Sequence, residues 1–145
     1  MKKLLLLLSI ITLSFTSNIA FAQQTIVLES NDQMKFNKSQ IVVKAGQTIT
    51  LTLKHTGKLP KAAMGHNWVL LKAGTDIPTF AREAMSARNT GFVPKGSPKV
   101  IAATKVIGGG ESTTITFKVT SKGVYNYICS FPGHFSMMKG ILIVR

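Results

Sequence analysis

The 145-residue chain has one cysteine, Cys129, and five acidic side chains. A single thiol excludes a disulfide framework, so the core must hold itself together by burial alone. A lone thiol in an oxidising compartment is also open to sulfenic acid formation, and burial or a metal must protect it. Long hydrophobic runs are scarce as well. Leu4 to Ile11 is apolar apart from Ser9, but Ser14, Thr16, Ser17 and Asn18 interrupt the stretch after it. That falls short of the roughly 20 apolar residues of a spanning helix. With Lys2 and Lys3 before it and Ala20-Phe21-Ala22 after it, the segment reads as a cleaved export signal. Residues 1–22 are therefore assigned to the signal and residues 23–145 to one mature domain, with no stable membrane insertion expected.

The mature segment carries 16 Lys and Arg against five Asp and Glu, a formal charge of +11. The basic residues are dotted from Lys35 to Lys139 and form no run interleaved with aromatics. Nucleic-acid binding is therefore not expected. A diffuse positive field instead steers a protein towards acidic partners.

Between turn signals the chain shows short apolar or alternating segments. Ile49, Leu51 and Leu53 alternate with threonines, as in a half-buried strand, and Ile115, Phe117 and Val119 do the same. Ile26–Leu28, Ile41–Val43, Val100–Ala102, Tyr125–Cys129 and Ile141–Val144 read as further strands, and Trp68–Leu71 as a fully apolar one. Seven or eight strands with Gly and Pro punctuation predict an all-β antiparallel sandwich or barrel. One stretch, residues 76–88, breaks the rhythm. Asp76 suits an N-cap, Pro78 a first turn, and Phe80, Ala81, Ala84 and Met85 recur at helical spacing, predicting a short helical flap outside the sheets.

The residues with chemistry lie mainly in Cys129-Ser-Phe-Pro-Gly-His134-Phe-Ser-Met-Met138. Pro132-Gly133 turns the chain, so a thiol at a strand end and an imidazole beyond it can converge from one loop. A thiolate with two imidazoles and a weak thioether suits copper. Zinc at structural sites prefers more thiolates or a filled tetrahedral set, and a Cys–His nucleophile lacks a third partner. The second histidine must be His55 or His66. Gly65-His66-Asn67-Trp68 enters an apolar strand, which favours His66; His55 beside Gly57 reads as structural or titrating. Spacing alone does not choose between Met137 and Met138.

At these residues the chain resembles the azurins, the bacterial cupredoxins. The resemblance runs through Asn31-Asp-Gln-Met-Lys-Phe-Asn37, Leu59-Pro-Lys61, Met64-Gly-His-Asn-Trp-Val-Leu70, Thr104-Lys-Val-Ile-Gly108, Phe131-Pro-Gly-His134 and Met138-Lys-Gly140. It implies a Greek-key two-sheet β-sandwich holding one type 1 copper. His66, Cys129 and His134 would be equatorial ligands, Met138 the axial thioether, and the Gly65 carbonyl its opposite. Asn67 would tie the ligand loops together through Ser130, and the amides of Asn67 and Phe131 would donate to the Cys129 sulfur. Leu59, Pro60, Met64, Phe131, Pro132, Phe135 and Met137 would form an apolar docking patch, and His55 would titrate near the site.

The implied role is a non-enzymatic, periplasmic electron carrier, monomeric, meeting redox proteins with acidic surfaces such as a cytochrome or reductase. An exported copper scavenger or carrier is the alternative, with Met34, Met64, Met85, Met137 and Met138 in its favour. Three departures stand out: the family's usual disulfide is missing, Phe135 replaces a small residue, and the charge is more positive.

Overall fold

The computed structural model describes residues 23–145; the predicted signal, residues 1–22, lies outside the described residues. Among the described residues, nine strands form two sheets. They are β1 (Gln24–Asn31), β2 (Lys35–Phe36), β3 (Gln40–Val43), β4 (Thr48–His55), β5 (Val69–Leu71), β6 (Val100–Ala103), β7 (Ser112–Lys118), β8 (Gly123–Ile128) and β9 (Lys139–Val144). One sheet has the order β2-β1-β4-β7 and the other β3-β9-β8-β5-β6.

The alternation along β4 does what its period requires. Ile49, Leu51 and Leu53 are fully buried, while Thr48, Thr50 and Thr52 face outward, and Thr50 and Thr52 meet Thr116 and Thr114 across the β4–β7 pair. Ile26 and Leu28 add to this face, and Ile41, Leu70, Tyr127 and Leu142 of the other sheet close on it.

The expected all-antiparallel pairing is corrected in two places. β1 runs parallel to β4 and β3 runs parallel to β9. Alternation sets which face of a strand is buried, but it is indifferent to the direction of the neighbour. Both parallel pairs arise where the chain crosses between strands distant in order, as a Greek-key arrangement demands.

Two helices interrupt the strands: α1 (Lys61–Met64), a single turn, and α2 (Ile77–Met85). Asp76 caps α2 by accepting the Thr79 N–H at 3.0 Å. Helix α2 ends at Met85, and the remainder of the predicted stretch leads into a 3₁₀ turn at Arg88–Thr90. Phe80 and Ala84 pack on Val69, Leu71 and Ile128, the outer face of the second sheet. Strand β5 is thus buried on both faces, which explains its uninterrupted apolar run. Met85, grouped with the apolar positions by spacing, points to solvent. No helix among the described residues is long and apolar enough to cross a membrane.

Candidate metal centre

Three donors converge at one end of the sandwich. The Nδ1 atoms of His66 and His134 lie 3.2 Å apart, and the Cys129 Sγ lies 3.9 Å and 3.6 Å from them. All three residues are buried. Bonds of about 2.0 Å to nitrogen and 2.3 Å to sulfur in a trigonal plane place N···N near about 3.5 Å and N···S near about 3.7 Å. The triangle therefore fits one first-row metal ion, and its one-sulfur, two-nitrogen composition fits copper.

Each donor is aimed by backbone structure. Cys129 directly follows β8, and its N–H donates to the Met138 carbonyl at 2.9 Å, closing the loop between them. Gly133 turns that loop with φ 81°, a left-handed conformation suited to glycine. The His134 N–H donates to the Phe131 carbonyl, and the Met138 N–H donates to the His134 carbonyl. Met138 is thereby fully buried, whereas Met137 is 57% exposed.

His66 arrives from the segment before β5, held in an isolated bridge with Ile107. Its Nε2 lies 2.8 Å from the Asn31 carbonyl, an acceptor only, so Nε2 carries the proton and Nδ1 turns its lone pair to the cluster. Gly65 is required for space. A Cβ there would stand 2.6 Å from the Lys61 carbonyl and 2.7 Å from both the Phe131 ring and Val106.

Asn67 joins three segments. Its Oδ1 accepts the Ser130 N–H at 2.8 Å, and its Nδ2 donates to the Gly91 carbonyl at 3.0 Å and to Ser130 Oγ at 2.9 Å. Ser130 Oγ in turn donates to the Phe92 carbonyl. The involvement of Gly91 and Phe92 has no signal in the sequence, because both lie in an irregular turn far along the chain from Asn67.

Burial sets the protonation of the triangle. It pushes the Cys129 thiol up to about 12, although the backbone N–H groups of Asn67 and Phe131 pull the other way. It lowers His66 to about 4, against the opposing bond to Asn31, and lowers His134 as well. At neutral pH the metal-free pocket thus holds a thiol and two neutral imidazoles.

His55 is fully buried and stacked on His66, with ring centroids 4.5 Å apart. Its Nδ1 accepts the Gly57 N–H and its Nε2 donates to the Met64 carbonyl. Of the predicted patch, Leu59, Pro60, Pro132 and Met137 are exposed, while Met64, Phe131 and Phe135 are half-buried. Phe135 packs inward on the α2 cluster.

The copper-binding protein family described as plastocyanin/azurin matches residues 22–145. The azurin of Achromobacter denitrificans is 46% identical over 140 residues, covering 93% of each chain. The azurin of Alcaligenes faecalis is 50% identical over 120 residues, covering 79% of this chain and 93% of that one. Among solved structures, azurin Az-iso2 of Methylomonas sp. strain J superposes with a TM-score of 0.77 at 41% identity, covering 84% and 98% of the two chains. Auracyanin A of Chloroflexus aurantiacus, a blue copper protein, gives 0.78 at 31% identity, covering 86% and 100%.

Proposed function

Because the chain belongs to the plastocyanin/azurin family of copper-binding proteins, we propose that it is a type 1 blue-copper electron carrier exported to the periplasm. The observation that carries this reading is the buried triangle of one sulfur and two nitrogens, sized for one metal ion. His66, Cys129 and His134 would hold the copper, with the Met138 thioether and the Gly65 carbonyl as weaker donors. Bound copper supplies a reversible one-electron change between Cu(II) and Cu(I).

The protein's own contribution is rigidity and electrostatics. Asn67 and the Cys129–Met138 closure hold the donors in one arrangement, so little must reorganise when charge changes. The Asn67 and Phe131 amides draw electron density from the sulfur. Residues 1–22 are proposed as the export signal, and residues 23–145 as the monomeric working domain. The chain is proposed as a relay and not an enzyme.

Redox partners would dock on the face of Leu59, Pro60, Met64, Phe131, Pro132, Phe135 and Met137. All five carboxylates serve the chain itself. Asp32 accepts the Lys58 and Leu59 N–H groups, Asp76 caps α2, Glu29 meets Asn37, and Glu83 and Glu111 pair with Lys99 and Lys61. Fourteen of the 16 Lys and Arg side chains are left without a carboxylate among the described residues. That imbalance supports an acidic partner surface, as on a cytochrome or reductase.

Voltammetry of the copper-loaded mature chain tests the relay. A reversible one-electron wave with copper retained against a chelator is expected. An irreversible wave with ready copper release would instead make the chain a copper scavenger.

Copper uptake also has an expected proton count. At pH 7 both histidines are already neutral and Cys129 still carries its proton, so one proton leaves per copper bound. Affinity therefore rises about tenfold per pH unit at neutral pH, and more steeply near pH 4 where His66 also loses a proton. Titration calorimetry in buffers of different ionisation enthalpy reads the count directly; two or more protons at pH 7 would contradict it.

A further inference from the structure

Beside the metal-binding loop lies an open cleft of about 430 Å³. It is lined by Ala62, Val106, Phe92 and Phe131, by Lys61, which pairs with Glu111 at 3.0 Å, and by Arg88, which has no carboxylate partner among the described residues. Phe131 links the cleft to the centre, since its ring lies 4.8 Å from that of His134.

Phe92 is held there against its backbone preference. Its φ is 61°, in the left-handed region that disfavours residues with a Cβ. The Phe92 N–H donates to the Ala87 carbonyl at 2.9 Å, and its own carbonyl accepts Ser130 Oγ at 2.6 Å. The result is a ring set edge-on to Phe131 at 5.1 Å. Such strain concentrates where a ligand is clamped.

We propose that this cleft receives a segment of the electron-transfer partner in which an apolar side chain is flanked by carboxylates. The apolar group would rest on Phe92 and Phe131, one carboxylate would reach the unpaired Arg88, and another would share Lys61 with Glu111. Arg88, whose charge no carboxylate of the described residues offsets, selects an anionic occupant. Its open form suits a protein surface better than a small molecule, which needs most of its area enclosed. Through α1 it is continuous with the patch at Pro60 and Met64, so one partner can cover both. This inference rests on the electron-carrier reading and adds the point that orients the partner.

The test is amide NMR of the Cu(I)-loaded mature chain, titrated with the peptide acetyl-Asp-Phe-Glu-Asp-amide and with its uncharged counterpart, acetyl-Asn-Phe-Gln-Asn-amide. The acidic peptide should shift Lys61, Arg88, Phe92, Val106 and Phe131 together, and the uncharged one should not. Arg88→Glu and Phe92→Asn should each weaken binding at least about tenfold. Asparagine tolerates the left-handed backbone, so the second variant removes the ring and keeps the turn. Shifts scattered over Lys35, Lys95, Lys122 and Lys139, unchanged in Arg88→Glu, would mean bulk charge alone and overturn the proposal. No shift with either peptide would overturn it too. The titration involves no electron transfer, so intact binding without a reversible wave would fail the carrier reading alone.

Discussion

Cys129→Ala is expected to abolish the intense visible absorption of the copper-loaded protein and to weaken copper binding by on the order of 10²–10³-fold. The affinity figure comes from spreading the roughly 10–16 kcal/mol of a structural four-ligand metal site over its donors. The band should go completely, because it arises from charge moving between sulfur and metal, and Cys129 is the chain's sole thiol. The apo fold should survive. The Sγ is buried and its protein donors are two backbone amides, so removing it leaves a small void worth about 1 kcal/mol. Absorption spectra and competition titrations of the two proteins, with denaturation of the apo forms as control, settle the matter. A visible band that persists in the variant would remove Cys129 from the site. Loss of the band together with collapse of the apo fold would show that the sulfur serves packing.

Asn67→Leu is the second large effect, and it acts on both stability and copper. The side chain is similar in size, so the loss lies in its hydrogen bonds. Without the amide, the buried Ser130 N–H and the Gly91 carbonyl lose their partners, at about 1–3 kcal/mol each. Unfolding in urea should show the apo form about 2–5 kcal/mol less stable. The segments bearing His66, Cys129 and Phe92 would no longer be tied together, and copper affinity should fall about 10–100-fold. Ser130→Ala offers a calibrated comparison. It removes the hydroxyl's bonds with the Phe92 carbonyl and Asn67 Nδ2 but keeps the Asn67 bonds to the Ser130 amide and the Gly91 carbonyl, so its cost should be about 1 kcal/mol. If Asn67→Leu proves no worse than Ser130→Ala, the amide is a bystander and the loops are held by strand pairing alone.

Much of the core was legible because its signal is periodic. Ile49, Leu51 and Leu53 declare a strand and its buried face, and Trp68–Leu71 declares a strand covered on both sides. What covers it was less evident. The stretch predicted as a helical flap, residues 76–88, does hold a helix outside the sheets at 77–85, and spacing did not show that its Phe80 and Ala84 complete a second apolar cluster on β5 and β8. Strand β2 spans two residues, Lys35 and Phe36, too few for any period to register. The parallel pairing of β1 with β4 and of β3 with β9 has no sequence signal, since a strand's own pattern contains nothing about which way its partner runs.

The metal centre divides in the same way. Sequence by itself determined that a thiol and an imidazole would meet, because Cys129 and His134 share one loop turned at Pro132-Gly133; the burial of Met138 and the exposure of Met137 belong to the tertiary structure. Sequence could also favour His66 from its glycine neighbour and the apolar strand it enters. Only the tertiary structure decided that His66 crosses 68 residues to stand 3.2 Å from His134. The same is true of Asn31 presenting a carbonyl to the far side of that ring, and of Asn67 reaching Gly91. Contacts within a loop are fixed by bond geometry over a few residues. Contacts between loops depend on the pairing register of whole strands, β5 against β8 and β6, which is set by packing across the entire sandwich.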